Sequence, residues 1–329
     1  MIVYFDTVRR KRPVKEAGEL IQLDWITKKI IKSVPLFPFD PDVDDDPNPR
    51  GNSRGGKGIV VSGSEILVGT YHSISVFDHA LNYKRKITNN LFVNIHEMCM
   101  DGENVWVSCT AVDAALLVNR EGTPLKSWWA REEKFLQDRY GLQPMTIDKN
   151  DDNRLVHLHA EVSTKPYHTH LNSVFKSGTD TFVLMNKLGV ILQMEPQLNV
   201  LLEDQCLKGA HSPVVSGDGS VLIVCGTSRK SILIYDLKRR TLIKEIGLLT
   251  YKPIADLYGA YPDEPFNQSI FVRGLEIIDA RRILAGISPA SLLEIDFCSG
   301  KLIDFFQYST DVGDAVHSLA CMTTNEKKE

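Results

Sequence analysis

Four of the nine histidines share a place in the sequence pattern: each stands at or just before an alternating apolar run that predicts a β-strand. They are His96, His170, His211 and His317. Neutral imidazoles bind zinc, iron and manganese, and three or four around one ion leave a position open for catalysis. The alternative is structural, because strand ends near solvent need polar residues. The first interpretation predicts a divalent transition metal held by these four side chains.

Other polar and charged side chains also stand close to the starts of apolar runs, either just before a run or within its first residues. Arginine and lysine at such places favour an anionic ligand, because their N–H groups donate charge-assisted hydrogen bonds. Asparagine adds uncharged donors and acceptors. The candidate ligand-binding residues are Arg54, Lys57, Asn94, Asn172 and Arg273.

The turn glycines that follow each run allow the runs to be aligned. In this alignment His170 and His211 fall at one level with Asn94, while His96 falls one inward-facing step deeper, level with Asn172. We therefore expect two layers of polar side chains at the starts of these strands.

General acid–base chemistry has its own candidates near the same runs. Any of them could act as a general acid or base if desolvated, so residue type alone does not rank them. The candidate catalytic residues are Tyr71, His72, Glu97 and Glu276, with Glu161 and Tyr167 as further polar groups.

Two pairs of histidines have the spacing His-X-His: His157 with His159, and His168 with His170. On a strand, both members of such a pair face the same side and can chelate one metal ion. Exposed loop histidines are the more common case, and we favour that interpretation for His157, His159 and His168.

An internal repeat predicts the elements that carry these residues. In each copy an alternating apolar run ends in an acid or amide, and a short turn leads into a second alternating run. The acid or amide can accept hydrogen bonds from backbone N–H groups of the turn. Two more β-like runs precede most copies, so each unit predicts a four-stranded antiparallel blade. The six markers are Asp24, Asp78, Asn119, Glu195, Asp236 and Asp296.

Forty-one residues separate Asp78 from Asn119, and the same number separates Glu195 from Asp236. The other spacings are longer and indicate insertions into the same unit. A sustained period of 3.6 residues is missing from the sequence, which excludes a helical repeat protein.

The first unit is divided between the chain ends. Three runs within residues 1–36 predict strands without an inner neighbour, and the run 315–322 near the C-terminus has no hairpin partner. We expect this last run to pair with the N-terminal strands, because pairing hides two sheet edges. The predicted fold is all-β, a single six-bladed β-propeller over residues 1–329.

On this repeat, the sequence resembles the six-bladed β-propeller superfamily, broadly the NHL-type and gluconolactonase-type propellers. The resemblance covers nearly the whole chain and depends on repeat geometry, without a family-specific motif. It implies a central channel lined by the innermost strands. It assigns no functional residue here, because a fold alone does not determine function. Propeller enzymes that hold a metal on channel histidines are similar in arrangement.

Three insertions, at about 37–54, 130–168 and 249–270, lengthen the junctions between predicted blades. Each joins an outermost strand to the next innermost strand, so all three are expected on the face where the four histidines start their strands. Long loops at such a place often build or cover a site. Within the second insertion, residues 131–140 predict a short helix that ends at Gly141.

Composition excludes several classes of protein. Thirty-eight basic and 42 acidic side chains give a net charge of −4, without the basic excess of a nucleic-acid-binding protein. The sequence has no apolar segment near the roughly 18 residues of a membrane helix, and its N-terminal run has its charges in the wrong order for a secretory signal. Six cysteines without CxxC spacing favour free thiols and a cytoplasmic location.

A nucleotide cofactor is not expected. Residues 51–58, GNSRGGKG, nearly match a phosphate-binding loop, but Gly58 replaces the required Ser or Thr and a strand follows in place of a helix. The sequence also lacks a dinucleotide fingerprint, a GxSxG motif and an HExxH motif.

Two hypotheses of function remain. The first is a metal-assisted enzyme with its site at the channel mouth, acting on a small polar or anionic substrate by lyase, hydrolase or oxygenase chemistry. The second is a non-catalytic scaffold that binds a protein or ligand on one face. Converging polar side chains would favour the enzyme, and an exposed apolar patch would favour the scaffold.

Overall fold

The alternating runs pair into six four-stranded antiparallel sheets, which are the blades of a propeller. The computed structural model describes residues 1–9, 18–36, 55–156, 168–260 and 272–322. Within these ranges, the inner strand of each blade contacts the inner strands of its two neighbours, and the contacts close a ring. The predicted six-bladed all-β fold is confirmed.

From the innermost to the outermost strand, the first three blades are as follows. Blade 1 contains β24 (Asp314–Met322), β1 (Ile2–Arg9), β2 (Glu19–Asp24) and β3 (Lys29–Pro35). Blade 2 contains β4 (Gly58–Ser62), β5 (Glu65–Gly69), β6 (Ser73–Asp78) and β7 (Tyr83–Thr88). Blade 3 contains β8 (Ile95–Asp101), β9 (Asn104–Cys109), β10 (Ala114–Val118) and β11 (Pro124–Trp129).

The other three blades follow the same order. Blade 4 contains β12 (Leu171–Ser177), β13 (Asp180–Met185), β14 (Val190–Glu195) and β15 (Asn199–Glu203). Blade 5 contains β16 (His211–Val215), β17 (Val221–Gly226), β18 (Ser231–Asp236) and β19 (Thr241–Gly247). Blade 6 contains β20 (Leu275–Ile277), β21 (Arg282–Ile287), β22 (Ser291–Asp296) and β23 (Lys301–Gln307).

Blade 1 closes the ring as predicted. Strand β24 pairs antiparallel with β1 along its length, from Ile2 opposite Met322 to Arg9 opposite Asp314. The N-terminal strands thus receive their inner neighbour from the C-terminal end of the chain.

The predicted turn caps form at five of the six markers. Oδ1 of Asp78, for example, accepts the backbone N–H groups of Ala80 at 3.0 Å and Asn82 at 2.9 Å. Glu195 is the exception, because its longer side chain pairs with Lys126 of blade 3 at 2.7 Å. The five markers with capped turns are Asp24, Asp78, Asn119, Asp236 and Asp296.

The core is distributed around the ring. One large apolar cluster lies between each pair of neighbouring blades, so that six clusters hold six blades. Trp106 and Leu171, for example, join blades 3 and 4. This arrangement keeps the apolar side chains between the sheets and leaves the channel to polar residues.

The second insertion contributes to this core at its start. Helix α1 (Lys134–Tyr140) ends at Gly141, as predicted, in a left-handed cap with φ 66°. Leu136 and Leu142 are buried in the cluster between blades 3 and 4. A short helix α2 (Asn153–Val156) follows, and the third insertion begins with α3 (Lys252–Gly259).

None of the helices in the described ranges has the length and hydropathy needed to cross a membrane. All six cysteines lie in those ranges and none forms a disulfide, and Cys298 is exposed.

Candidate functional site

Irregular pairing at the start of the inner strands turns extra side chains into the channel. In β8 the register shifts between Ile95 and Met98, and this bulge contains His96 and Glu97. Strands β12, β16 and β24 have shifts at matching places. At a bulge, two residues of one strand lie opposite a single residue of the partner strand. Two consecutive side chains, which in a regular strand point to opposite faces of the sheet, then both face the channel.

His96 lies at the centre of a group of imidazoles from four blades. Its ring centroid is 4.8 Å from that of His317 in blade 1, 5.2 Å from that of His211 in blade 5 and 5.8 Å from that of His170 in blade 4. The structure thus brings together all four histidines singled out in the sequence. These four side chains are called the histidine cluster below.

Arg273 joins the histidine cluster from the segment before β20. Its Nη1 lies 2.9 Å from Nε2 of His317 and 3.4 Å from Nε2 of His96. A guanidinium only donates, so both ring nitrogens accept through their lone pairs. Blades 3 and 6 stand opposite each other in the ring, so the guanidinium that reaches His96 from blade 6 lies near the propeller axis.

The hydrogen bonds of His211 assign its tautomer. Its Nδ1 lies 3.1 Å from the carbonyl oxygen of Gly209 and 2.9 Å from Oγ1 of Thr227, whose hydroxyl donates to the carbonyl of Val272. Both groups therefore need a proton on Nδ1. Nε2 of His211 then carries a lone pair, and it has no hydrogen-bond partner among the described residues. This nitrogen is suited to act as a base.

Burial lowers the pKa of every imidazole in the histidine cluster, in the case of His170 to about 3. The positive charge of Arg273 lowers all four pKa values further, and Lys57 acts in the same direction on three of them. The cluster is therefore neutral at neutral pH and lies in a positive electrostatic potential.

Lys57 extends the positive region toward blade 2. Its Nζ donates to Oδ1 of Asn94 at 2.8 Å and lies 4.7 Å from the centre of the Tyr71 ring. Tyr71 in turn packs edge-on against His72, with ring centroids 4.4 Å apart. Burial, Lys57 and Arg154 of helix α2 lower the pKa of His72 to about 3. The second insertion thus reaches the blade 2 side of the site.

Glu97 and Glu276 lie on the other side of the histidine cluster. Both line a cavity of about 290 Å³, formed by inner-strand residues that follow the histidines in sequence, and none of the histidines in the described part of the chain lines it. Burial raises the pKa of Glu97 to about 7, against the lowering effect of hydrogen bonds from Ser173 and Ser212. Glu276, a candidate catalytic residue from the sequence, thus faces the same cavity as Glu97, which is called the channel cavity below.

The layers differ from the sequence alignment at one position. Four residues separate each of the strands β9, β13 and β17 from the next strand. The last residues of these three strands are therefore equivalent, and the residues that pair with them identify equivalent positions in the inner strands. By this register His211 is equivalent to His96 and Asn172, whereas His170 is equivalent to Asn94. The expectation that His211 lies level with His170 is therefore wrong, because the hairpin of β16 and β17 is two residues longer than that of β12 and β13, so its turn glycine Gly219, counted along the inner strand, is not equivalent to Gly178.

Two of the predicted residues have mainly structural contacts. Nδ2 of Asn172 donates to the carbonyl of Ala210 at 3.0 Å, which ties blade 4 to blade 5. His168 is fully buried, accepts the backbone N–H of His170 at 2.9 Å and contacts the carbonyl of Ala111. His168 is thus a core histidine that supports His170, and the expectation of an exposed loop histidine is wrong for it.

The geometry of the histidine cluster bears on the predicted metal site. Within the described ranges, no three His, Cys, Asp or Glu side chains are arranged to hold one ion. The lone pairs of His96 and His317 are directed at Arg273, whose positive charge repels a cation from the same point. The residues as they stand do not fit a metal, and the metal site stays a prediction.

Several candidates fall outside the described residues. They are Arg54, His157, His159, Glu161 and Tyr167.

Two side chains that organise the site, Ser212 and Asp6, are not among the residues singled out from the sequence. Ser212 donates to Glu97 through both its backbone N–H and its hydroxyl. Asp6 is fully buried and accepts from Ser318, next to His317. A single acid inside the apolar run of β1 was a signal for Asp6, whereas Ser212 had none beyond its position after His211.

The fold is similar to that of proteins of known structure. No family model matches the chain, and no curated protein matches its sequence. Among solved structures, a protein of unknown function from Bacteroides caccae has a TM-score of 0.60 at 12% identity, over 97% of both chains. A nidogen/laminin complex has a TM-score of 0.58 at 9% identity, over 96% of this chain and 97% of that one. The likeness is one of fold alone.

Proposed function

We propose that this protein is an acid–base enzyme that binds a small anionic substrate on the histidine side of its channel. One observation carries the proposal: a guanidinium lies near the propeller axis, held by the lone pairs of two neutral imidazoles. Arg273 and Lys57 supply positive charge where inner strands from all six blades converge. An anion at this place would gain charge-assisted hydrogen bonds in a buried setting, where they are strongest.

Anion binding would also activate the bases. Arg273 lowers the pKa of His96, His211 and His317, so neutralising its charge raises those pKa values toward the usual range. A carboxylate or phosphate oxygen would replace a ring nitrogen as the acceptor for Arg273. The released Nε2, or the lone pair on Nε2 of His211, can then take a proton from the substrate. The substrate thus prepares the base that acts on it.

A protein-binding scaffold is the alternative. Among the described residues, six of the nine large exposed apolar side chains are spread over the outer strands of five blades. The other three lie apart in the chain: Ile26 in the turn between β2 and β3, Phe135 in α1 and Leu249 just before α3. Singly scattered apolar residues are normal on a soluble surface, so this distribution favours the channel site. The six side chains on the outer strands are Ile30, Ile31, Tyr83, Leu125, Ile243 and Ile303.

The proposal is tested by titrating the protein with inorganic phosphate and small carboxylates, followed by calorimetry and by NMR of the histidine rings. We expect binding that raises the histidine pKa values. Arg273→Met should weaken it about tenfold or more, the usual effect of losing a charged hydrogen bond. Arg239→Met is the matched control, because Arg239 is exposed in the turn between β18 and β19. Equal binding by both variants, or no binding by the wild type, would show that the proposal is wrong.

A further inference from the structure

Glu97 occupies the boundary between the histidine cluster and the channel cavity. It directly follows His96 in the bulge of β8, so both side chains face the channel. The ring of His96 lies in the cluster, whereas the carboxyl group of Glu97 lines the channel cavity. One strand therefore places a base and an acid on the two sides of the same boundary.

The carboxyl group is fixed by a blade that is not adjacent. Oε1 of Glu97 accepts the backbone N–H of Ser212 at 2.9 Å and its hydroxyl at 2.7 Å. Ser212 belongs to blade 5, so the contact crosses the channel from blade 3 and passes blade 4. Ser212 directly follows His211 in β16, so this hydrogen bond links Glu97 to the strand that carries His211.

The groups that face Glu97 have opposing effects on its ionisation. Burial raises its pKa to about 7, while Ser173 of blade 4, Ser212 of blade 5 and the charge of Arg273 of blade 6 stabilise the carboxylate. The thiols of Cys99, which is half-buried, and Cys225, which is buried, also lie within electrostatic range. Both forms of Glu97 are therefore populated near neutral pH, as a group that takes up and releases protons requires.

The channel cavity provides the other end of a path. Its volume of about 290 Å³ is many times the roughly 30 Å³ that a water molecule occupies. Its polar lining includes Glu97, Glu276, Lys176 and Ser318. A roomy cavity with several polar partners satisfies the conditions for holding water in contact with the carboxyl group.

We infer that Glu97 carries protons between the histidine cluster and water in the channel cavity, so that substrate and protons use opposite ends of the channel. The inference rests on the proposed function, which places the substrate on the histidine side. An imidazole of the cluster takes a proton from the substrate. It passes the proton through one water molecule to the Glu97 carboxylate, and the resulting acid releases it to cavity water. Glu97 and the imidazole return to their starting forms.

The relay can be measured without a substrate, because it sets how fast the buried imidazole N–H protons exchange with water. Histidine is labelled with ¹⁵N, and exchange is followed by magnetisation transfer from water between pH 6 and 8. Glu97→Gln keeps an oxygen that accepts from Ser212 but cannot ionise. We expect it to slow the exchange about tenfold or more, within the range that a positioned acid–base group contributes.

Glu103→Gln is the matched control, because Glu103 is exposed in the turn between β8 and β9, is not among the residues that line the channel cavity, and should leave the exchange nearly unchanged. Thermal unfolding of both variants checks that each keeps the fold. If Glu97→Gln does not fold, Ser212→Ala, which keeps the carboxyl group, takes its place in the exchange measurement. Wild-type exchange rates in Glu97→Gln, or in Ser212→Ala where that variant replaces it, would overturn the relay. Failure of the proposed function is separate, since it appears as loss of phosphate binding in the wild type.

Discussion

Asp6 and Ser318, 312 residues apart in the chain, close the propeller beside its functional centre. The Asp6 carboxylate accepts the backbone N–H of Ser318 at 2.9 Å and also its hydroxyl. Ser318 follows His317, so the contact that fixes the C-terminal strand also fixes an imidazole of the histidine cluster. Burial raises the pKa of Asp6 to about 7, against the opposing effect of these hydrogen bonds.

The raised pKa of Asp6 predicts a pH dependence with a definite sign. Its folded pKa lies above the value of 3.8 expected when unfolded, so the folded protein binds more protons between pH 4 and 7 and loses stability as pH rises through that range. Asp6→Asn removes this contribution, which amounts to at most about 1.4 kcal/mol per pH unit. We expect the wild type to lose more unfolding free energy than Asp6→Asn between pH 5 and 7 in urea titrations. Parallel profiles would contradict the assignment.

Ring closure predicts the effect of shortening the chain. Deletion of residues 313–329 removes β24 and exposes the edge of β1. We expect loss of the single cooperative unfolding transition in calorimetry. Deletion of residues 323–329 alone is the control that separates the strand from the residues after it. A cooperative transition at the wild-type temperature after the longer deletion would contradict the closure.

His72 predicts a pH effect of the opposite sign. Neither of its ring nitrogens has a hydrogen-bond partner among the described residues, and burial lowers its pKa to about 3. The unfolded chain binds a proton below pH 6.5 that the folded protein excludes, so stability falls as pH falls. We expect His72→Phe to reduce the loss between pH 6.5 and 5.5 by up to about 1.4 kcal/mol. Tyr71→Phe is the control, since it leaves every histidine in place. If the unfolding free energy of His72→Phe falls with pH as steeply as that of the wild type, the prediction is refuted.

Ser212 predicts a change in the titration of Glu97. Its hydrogen bonds stabilise the carboxylate and so lower the pKa of Glu97. Ser212→Ala removes the hydroxyl donor and keeps the backbone donor, so the pKa of Glu97 should rise above about 7. ¹³C NMR of labelled glutamate side chains measures it. Ser318→Ala is the comparison, because Ser318 lines the same cavity but donates to Asp6. If the pKa of Glu97 does not rise in Ser212→Ala, the hydrogen bond between Ser212 and Glu97 is contradicted.

Arg273 predicts the response to zinc. In the wild type its guanidinium takes the lone pairs of His96 and His317 and repels cations. Arg273→Ala frees both nitrogens, and we expect zinc affinity to rise about tenfold or more, measured by competition with a coloured chelator. Tight binding of one zinc ion by the wild type, lost in His96→Ala, would instead support the original metal hypothesis.

Much of the fold was predictable because its signals are local. Alternation of apolar residues with period two marks each strand, and the short acidic markers Asp78 and Asp236 cap their turns by contacts within four residues. The repeat then fixes the number of blades, and the unpaired run 315–322 fixes the closure. Placement of the four histidines at the start of inner strands follows from the same pattern.

The chemistry of the site was decided by contacts between distant residues. Arg273 meets His96 across 177 positions, and Glu97 meets Ser212 across 115. Bulges in the inner strands determine these meetings, because each adds a residue to one strand and turns its side chains toward the axis. A pattern of apolar and polar residues does not show where a bulge lies. The sequence therefore determined that imidazoles converge at the channel, and the tertiary structure decided that a guanidinium lies among them and takes the lone pairs of two of them.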